Sequence, residues 1–443
     1  MRREFNNMHK IDSSKYIKII GLKTLNNKLT ASLDFSRNIS KYFTTNCFFA
    51  EYDENIEDID KSILSIPPLS AVITVAWATG ADIYVEYLDE TYLNSLKKVQ
   101  SVFKEWFPQF LYKGKIYVKN IIKNKVNGKS YALLFSSGVD SLTSYIRNKD
   151  KHPILISIWG ADIPLSKNEF WNNVKSRLTD FAKHEKVNIH FIKTNSRELI
   201  NDHLLASKYG IKEGWWGQVC HGIMFLGVCA PLTVVNKIGT FLIASTYTKD
   251  FKMPWGSHPL IDNNISWADI NVFHDGYELS RQEKIKHILK KNPKYLSFLR
   301  SCHSQHLEYN CGLCEKCLRT IDNLVLEGID PAKCNFNIQD GIFDLIRNYF
   351  NRGLIPWGDD PFFFWQDIQN NIPDDLDENK MYNSKEFFEW FKGFDLSNYK
   401  YKGNNKLSRY LKIYYLTKYK GIGYTAKRVS KYILQKLKLI KVG

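Results

Sequence analysis

The chain has 443 residues, of which 44% are hydrophobic, and its 62 Lys and Arg exceed its 46 Asp and Glu to give a formal net charge of +16. This much apolar material supports two or three domains of about 150 residues each and excludes wholesale disorder. Eight Cys in a chain of this length are too few for a small scaffold held together by disulfides. The composition therefore predicts a globular protein with a large core.

Two features of the sequence bear on its location. Residues 1–7 lead into no apolar run of signal-peptide length, which argues against export. The longest apolar stretch, residues 222–235, is interrupted by Pro231 and falls short of the roughly 20 residues that cross a membrane. We therefore expect a cytoplasmic protein in a reducing compartment.

The positive charge is concentrated in residues 396–443, the basic tail, which contain thirteen Lys or Arg and no Asp or Glu. Within the tail, residues 426–441 have apolar side chains at helical spacing, with Lys and Arg mostly on the other side. Such a helix can lie on an anionic membrane, contact nucleic acid, or pack on its own domain with a solvated basic face. The sequence leaves these alternatives open.

The first 125 residues predict a separate α+β domain. Residues 71–77 and 82–87 are rich in side chains that favour strands. Residues 88–106 have the pattern of a helix, which ends before Pro108. This domain is therefore expected to combine strands with at least one long helix.

Residues 126–330 predict a second domain, in which strands alternate with helices. The predicted strands are residues 131–135, 153–159, 188–193 and 240–245, and the predicted helices are residues 140–148, 170–183 and a longer stretch before the last strand. This alternation predicts an α/β fold with a parallel sheet that binds ligands at the carboxyl ends of its strands. Residues 331–443 predict a mainly helical C-terminal region that is rich in aromatic residues and ends in the basic tail.

The junction between the first predicted strand of the second domain and its helix has the composition of a phosphate-binding turn. Small and hydroxyl-bearing side chains let an anion approach backbone N–H groups at a helix N-terminus. Asp140 would repel phosphate by itself, so its presence suggests a bridging Mg²⁺. The alternative is a polar turn in which Asp140 only caps the helix. The candidate nucleotide-binding residues are Ser136, Ser137, Gly138, Val139, Asp140 and Ser141.

Four of the eight Cys lie within sixteen residues. They are Cys302, Cys311, Cys314 and Cys317, separated by eight, two and two residues. Four thiolates suit tetrahedral Zn²⁺, and Gly312 lets the backbone turn tightly between two of them. A site with four sulfur ligands leaves no open position, so the metal would be structural. An iron–sulfur cluster is the alternative, although nothing else in the sequence suggests redox chemistry.

Both motifs resemble those of a known enzyme family. Residues 136–141 resemble the PP-loop signature of ATP pyrophosphatases, usually Ser-Gly-Gly-x-Asp-Ser, with Ser137 at its second position. The Cys-x8-Cys-Gly-x-Cys-x2-Cys spacing that follows resembles the zinc site of the 7-cyano-7-deazaguanine synthases, the QueC family. Residues 278–285 resemble the segment before that site, with Arg281 where Lys is usual. The resemblance covers residues 130–330 and indicates an extended, divergent QueC-like protein.

The resemblance implies a Rossmann-like PP-loop fold of the adenine nucleotide alpha hydrolase type, with ATP, Mg²⁺ and structural Zn²⁺. The implied ligase adenylates a substrate carboxylate, expected to be that of 7-carboxy-7-deazaguanine, and releases pyrophosphate. Ammonia or an amine then captures the acyl group to give an amide or nitrile, as in queuosine biosynthesis. Asp140 and Ser141 would be the catalytic residues.

Departures from the family concern the substrate. The family's Tyr-Pro-Asp-Cys segment has no counterpart in residues 246–250. The candidate substrate residues are Lys249, Gly256, Ser257, His258 and Arg281. For residues 256–258 the alternative is a rigid turn bounded by Pro. Residues 159–162 occupy the place expected for contacts to the nucleotide base, although Asp162 itself also fits a capped turn.

Two further hypotheses remain open. In the first, the same activated acid is joined to a protein amine, as in deazaguanine–protein conjugation in an antiviral defence system, and the flanking regions dock that acceptor. In the second, the chain is a non-catalytic nucleotide-binding module, which Ser137 at a Gly position favours.

Overall fold

The computed structural model describes residues 15–302, 310–338, 340–377 and 381–402, together with isolated residues between 410 and 426. The chain divides into two compact units, residues 1–279 and residues 280–443. Strands on both sides of residue 125 therefore belong to the same unit. The predicted amphipathic helix at residues 426–441 lies, apart from residue 426, outside the described residues.

Ten strands among the described residues form one mixed sheet in the first unit. They are β1 Tyr16–Leu25, β2 Lys28–Phe35, β3 Cys47–Glu51, β4 Asp82–Asp89, β5 Ile116–Ile122, β6 Ser130–Leu134, β7 Ile154–Trp159, β8 Ile189–Thr194, β9 Ile238–Ala244 and β10 Asn271–Asp275. Their order across the sheet is β10-β9-β6-β7-β8-β3-β2-β1-β4-β5. This arrangement confirms the predicted α/β class with a largely parallel sheet.

The half of the sheet formed by β10, β9, β6, β7 and β8 is entirely parallel. The chain runs outward from β6 through β7 to β8, and then returns to place β9 on the other side of β6. The strand order therefore reverses between β6 and β9. The second half joins at the edge of β8, where β3 pairs antiparallel with it through Ala50 and Glu51.

Helices connect these strands in the first unit. They are α1 Arg37–Ser40, α2 Lys61–Leu64, α3 Ile66–Thr79, α4 Glu90–Trp106, α5 Val139–Asn148, α6 Asn168–Glu185, α7 Asp202–Tyr209, α8 His221–Val235 and α9 Pro259–Asp262. A π-helical turn, Trp216–Cys220, leads directly into α8. The predictions for the strands β4, β6, β7, β8 and β9 and for the helices α4, α5 and α6 are thus confirmed within a few residues.

Residues 71–77, which the sequence predicts as a strand, lie in helix α3, so that prediction was wrong. Every residue of α3 is buried, so no polar face interrupts the apolar run and the helical period is invisible in the sequence. Helix α3 packs against α8. Gly227 permits the close approach, because a Cβ at this position would lie 2.3 Å from the Cβ of Ser70.

Among the described residues, one continuous helix, Trp216–Val235, is long and apolar enough by length and composition to cross a membrane. This helix is longer than the apolar stretch at residues 222–235, because it begins with the π-helical turn. Pro231 lies inside the helix and does not end it. In this helix, 78% of the apolar window is buried within the protein, as in the central helix of a folded core.

The second unit is helical in its described residues. Its helices are α10 Arg281–Lys284, α11 Glu315–Leu326, α12 Ile342–Asn351, α13 Asp359–Asn370 and α14 Lys385–Lys392. Phe350 of α12 lies in an aromatic core, with its ring centroid 4.9 Å from that of Trp365 and 5.1 Å from that of Phe391. These ring pairs stabilise the packing of α12 against α13 and α14.

Candidate functional site

The four Cys of the predicted metal site come together in the second unit. Their sulfur atoms all lie within 4.8 Å of one another. The Sγ atoms of Cys302 and Cys314 are 4.0 Å apart, and those of Cys311 and Cys317 are 3.9 Å apart. A tetrahedral ion with metal–sulfur bonds of about 2.3 Å requires sulfur–sulfur separations of about 3.8 Å. The cluster therefore has the donor atoms and the dimensions of a four-sulfur metal site.

The backbone around Cys311 is shaped for this cluster. Gly312 has a φ of +68°, and a Cβ there would lie 2.1 Å from the carbonyl oxygen of Asn337. The N–H groups of Leu313 and Cys314 both donate to the Cys311 sulfur, at 3.4 and 3.2 Å. Such bonds stabilise the thiolate that a metal requires. Only glycine fits position 312 without displacing the chain.

Asn310 fastens the two halves of the cluster together, and the sequence analysis missed it. Its Oδ1 accepts from the N–H groups of Ser301 and Cys302, at 2.8 and 3.3 Å. Its Nδ2 donates to the carbonyls of Leu299 and Cys334, at 2.8 and 3.1 Å. The side chain is buried and makes hydrogen bonds at both ends, so it fixes the position of Cys302 relative to Cys311.

Burial of the cluster makes a cation chemically necessary if all four sulfurs are to ionise. Cys302, Cys311 and Cys317 are each at most 2% exposed. Burial, followed by contact with the other three sulfurs, raises the pKa of Cys317 well above its usual value. Four thiolates this close together, three of them buried, repel one another unless a cation neutralises them. The donor set therefore fits a metal ion such as zinc.

We expect Asn310→Asp to weaken metal binding and to lower the stability of the second unit by about 2–4 kcal/mol, because a carboxylate oxygen would replace Nδ2 and face two carbonyl oxygens. Zinc affinity in a competition titration with a chromogenic chelator and the midpoint of chemical denaturation measure the two effects.

The matched control is Asn348→Asp on α12. Asn348 lies nearer the surface and donates to the Asp344 carbonyl within its own helix, so its replacement should cost less than about 1 kcal/mol and leave metal binding unchanged. Equal effects of the two substitutions would refute the role assigned to Asn310.

The predicted phosphate-binding turn lies at the carboxyl end of β6. The strand ends at Leu134, and the N–H of Phe135 still bonds to Ile156 of β7. The Ser136 and Ser141 hydroxyl groups lie 3.3 Å apart across the turn. Gly138 is the N-cap of α5 and has no side chain with which to cap the helix. The turn therefore presents hydroxyl groups beside the N-terminus of a ten-residue helix.

Ser137 and Asp140 take different positions in this turn. Ser137 has a φ of +59° and is buried, so a side chain stands where the backbone favours glycine. Asp140 is half-buried in the first turn of α5. Further along α5, the Ser144 hydroxyl donates to Asp275 at 2.5 Å and Arg147 pairs with the same carboxylate at 3.3 Å. Asp275 thus fixes α5, and the turn before it, against β10.

The left-handed conformation of Ser137 predicts a stability difference between two substitutions. Both Ser137→Gly and Ser137→Ala remove the hydroxyl group, but only Ala keeps a Cβ in the strained region. We expect the Gly variant to be more stable than the Ala variant by about 1 kcal/mol, measured as the difference in free energy of unfolding. A more stable Ala variant would show that the turn does not hold this conformation in solution.

The predicted substrate loop, residues 256–258, makes mostly internal contacts. Gly256 bonds through its N–H to the Gly217 carbonyl at 2.9 Å and through its carbonyl to the N–H of Gly222 at 2.8 Å. The Ser257 hydroxyl donates to Asp262 at 2.7 Å, and the same buried carboxylate oxygen lies 2.7 Å from His274 Nδ1. The loop is thereby fastened to the π-helical turn and to β10.

Both ring nitrogens of His258 are engaged. Nδ1 accepts from the N–H of Leu260 at 3.1 Å, so Nε2 carries the proton and donates to the Tyr277 hydroxyl oxygen at 2.9 Å. Burial, and then the proximity of His274, lowers the pKa of His258 to about 4. This imidazole is therefore neutral at pH 7 and serves as the N-cap of α9.

The other two candidate substrate residues are Lys249 and Arg281. Lys249 is exposed, and its carbonyl accepts from Lys252 at 2.9 Å. Arg281 belongs to the second unit, where it is buried with its guanidinium 4.1 Å from the centre of the Phe364 ring. The guanidinium of Arg319 lies 4.2 Å from the same ring, so Arg281 is part of a packed cation–π arrangement.

The fold and the cluster define an α/β protein with a buried four-thiol site that can hold a metal ion. A scan of the chain against protein-family models found no match, and searches of curated proteins and of solved structures found none either. Functional conclusions therefore depend on the geometry of the chain itself and on the resemblance of its motifs.

Proposed function

We propose that the chain is an ATP-dependent ligase that adenylates a carboxylate, with 7-carboxy-7-deazaguanine as the expected acid. The observation that carries the proposal is the position of the turn at residues 136–141. It follows β6, the strand at which the order of the parallel sheet reverses. In open α/β sheets, ligands bind outside the carboxyl ends of the strands at such a reversal. A nucleotide is the ligand that best fits a hydroxyl-rich turn at a helix N-terminus there.

The turn would act on the phosphates by positioning and by charge. The N–H groups at the start of α5 and the hydroxyl groups of Ser136 and Ser141 would donate to phosphate oxygens. Asp140 would hold Mg²⁺, which when bound neutralises charge on the phosphates. The candidate catalytic residues therefore orient the α-phosphate towards the incoming carboxylate and lower the repulsion between the two anions.

The proposed reaction balances in two steps. A carboxylate oxygen of the acid attacks the α-phosphorus, the bond to the bridging oxygen breaks, and pyrophosphate leaves with its electron pair. Ammonia or an amine then attacks the acyl carbon, AMP leaves, and the nitrogen loses a proton to give the amide. Dehydration of that amide to the nitrile would consume a second ATP, as the resemblance implies.

Zinc is the metal proposed for the four-thiol cluster, and its role there is structural. Four sulfur ligands complete the coordination of the ion, which leaves no position for water or substrate. The proposed site requires reduced thiols, which agrees with the expected cytoplasmic location.

The test is an ATP–pyrophosphate assay with Mg-ATP, 7-carboxy-7-deazaguanine and ammonia. Pyrophosphate release that requires the acid supports adenylation, and a new amide or nitrile mass identifies the acceptor as ammonia. Acid-dependent release without a small product, together with an adduct on a co-expressed protein, indicates the protein-amine alternative. ATP binding without any pyrophosphate release by the zinc-loaded protein would refute adenylation and favour the non-catalytic module.

A further inference from the structure

A cluster of three side chains lies at the same edge of the sheet as the turn at residues 136–141. Asp162 follows the end of β7 by three residues, and Arg197 follows the end of β8 by three residues. The third member, Trp216, begins the π-helical turn. Neighbouring strands lie about 4.8 Å apart, and β6, β7 and β8 are adjacent. The loops after these strands are therefore within reach of one small ligand.

The Asp162 carboxylate is held from two sides. Trp216 donates its indole N–H to Asp162 Oδ1 at 3.2 Å, and an Arg197 nitrogen lies 4.0 Å from the same oxygen. Arg197 is itself positioned by a 2.9 Å hydrogen bond to the Ala161 carbonyl and by contact with the Trp216 ring, whose centre is 4.9 Å from the guanidinium carbon. The Asp162 side chain nevertheless remains 61% exposed. The Asp162 carboxylate is therefore both oriented and accessible.

The scaffold of this cluster is rigid at its base. The Asp202 carboxylate accepts from the N–H groups of Trp216 and Trp215, at 2.7 and 3.3 Å, and so fixes the start of the π-helical turn. Short π-helical segments occur frequently at functional sites. Gly160 has a φ of +97°, and a Cβ there would lie 1.7 Å from the Thr194 carbonyl. The loop that carries Asp162 is therefore packed directly against the end of β8.

The polar groups of the cluster favour a guanine-type edge over an adenine edge. A carboxylate presents only acceptors, so it matches the adjacent ring N–H and amino group of a 2-amino-4-oxo-pyrimidine edge. Adenine has an acceptor beside its amino group, and one carboxylate oxygen would face that lone pair. The Arg197 guanidinium is planar and 37% exposed, so it offers a flat surface for stacking of the same ring.

We propose that Asp162, positioned by Trp216 and Arg197, is the residue that selects a guanine-type substrate ring. This inference rests on the proposed function and specifies which part of the acid the protein recognises. In 7-carboxy-7-deazaguanine, the 2-amino edge and the carboxylate lie at opposite ends of the fused ring. A ring held at Asp162 can therefore direct its carboxylate towards the turn after β6. The sequence led us to expect that residues 159–162 contact the base of ATP. We now assign Asp162 to the base of the substrate instead.

The experiment compares Asp162→Asn with wild-type protein by isothermal titration. The probes are 7-carboxy-7-deazaguanine, its analogue without the 2-amino group, and Mg-ATP. Wild type should prefer the amino-bearing acid by about 10- to 100-fold, the discrimination that a bidentate pair provides. Asp162→Asn should reduce that ratio to near one and leave the affinity for Mg-ATP unchanged. Trp216→Phe, which removes the N–H but keeps an aromatic ring, should reduce the ratio partially.

The control is Asp180→Asn, which replaces an exposed carboxylate of α6 and should leave all three affinities unchanged. If Asp162→Asn binds both acids as wild type does, the inference is wrong and the proposed function survives. If instead Asp162→Asn loses affinity for Mg-ATP, Asp162 contacts the nucleotide and the inference is also wrong. If wild type binds neither acid, both the inference and the proposed acid substrate are wrong. The separate titration with Mg-ATP still shows whether the protein binds the nucleotide.

Discussion

Replacing Cys311 by Ser should strip the metal from the second unit and lower its stability by several kcal/mol. Cys311 contributes one of four sulfurs that lie within 4.8 Å of one another, and two backbone N–H groups donate to it. A serine hydroxyl does not ionise at pH 7 and so removes one of four anionic ligands. In zinc-finger peptides the whole site contributes about 10–16 kcal/mol of binding free energy, so loss of one ligand is expected to be severe.

Metal analysis after gel filtration measures this effect. Wild type should retain about one zinc per chain and Cys311→Ser close to none. Denaturation followed by circular dichroism should show an earlier transition in the variant, and addition of a strong chelator to wild type should reproduce that transition. A variant that keeps its zinc would show that the four thiols do not form one site.

Cys334→Ala is the matched control for this experiment. Cys334 is a buried thiol of the same unit that lies outside the cluster. Burial raises the pKa of Cys334 to about 12, so it remains a neutral thiol at pH 7. Its replacement should cost some packing energy but leave the zinc content unchanged. The two variants therefore separate loss of a ligand from loss of a buried side chain.

Regular periodicity made the parallel half of the sheet predictable. The segments that form β6, β7, β8 and β9 are short, apolar and separated by helices of ordinary length. Strands and helices that alternate in this way usually form an α/β fold with a parallel sheet. Helix α3 was mistaken for a strand for a physical reason. It is buried on all sides, and a helix without a polar face lacks the 3.6-residue pattern that would identify it.

The metal cluster was visible in the sequence because its ligands are close together and of a rare type. Asn310 was not, since a single Asn carries no pattern and its importance comes from four backbone partners. The same limit applies to Asp262, whose buried contacts with Ser257 and His274 join segments that only the fold brings together. A search for polar residues inside the Cys-rich segment would have found Asn310 but not Asp262.

The candidate substrate loop illustrates a different limit. Gly256, Ser257 and His258 have the composition of a binding loop, yet their polar groups bond within the protein. Composition alone cannot distinguish a polar group that awaits a ligand from one that fastens a loop. Asp162 was noticed in the sequence because it follows a predicted strand, whereas Arg197 belongs to no motif. In the structure both residues follow the carboxyl ends of parallel strands.

The substitution Asp140→Asn should reduce acid-dependent pyrophosphate release by about 100- to 1,000-fold, the usual effect of removing one preorganised charge-stabilising group. Asn keeps the size and one oxygen of Asp140 but loses the negative charge proposed to hold Mg²⁺. Ser144 and Arg147 fix α5 to Asp275 through contacts that do not include the Asp140 side chain. The variant should therefore fold normally, and circular dichroism and zinc content should match wild type.

The dependence of the rate on Mg²⁺ identifies the cause of that loss. If Asp140 holds the ion, the variant should need a higher Mg²⁺ concentration for half-maximal pyrophosphate release, because one of its ligands has lost its charge. Asp150→Asn provides the control, since Asp150 is an exposed residue paired with Lys151 at 3.1 Å just beyond α5. A normal rate and Mg²⁺ dependence in Asp140→Asn would reduce Asp140 to a helix-capping residue. The phosphate site would then have to depend on the hydroxyl groups and the N-terminus of α5.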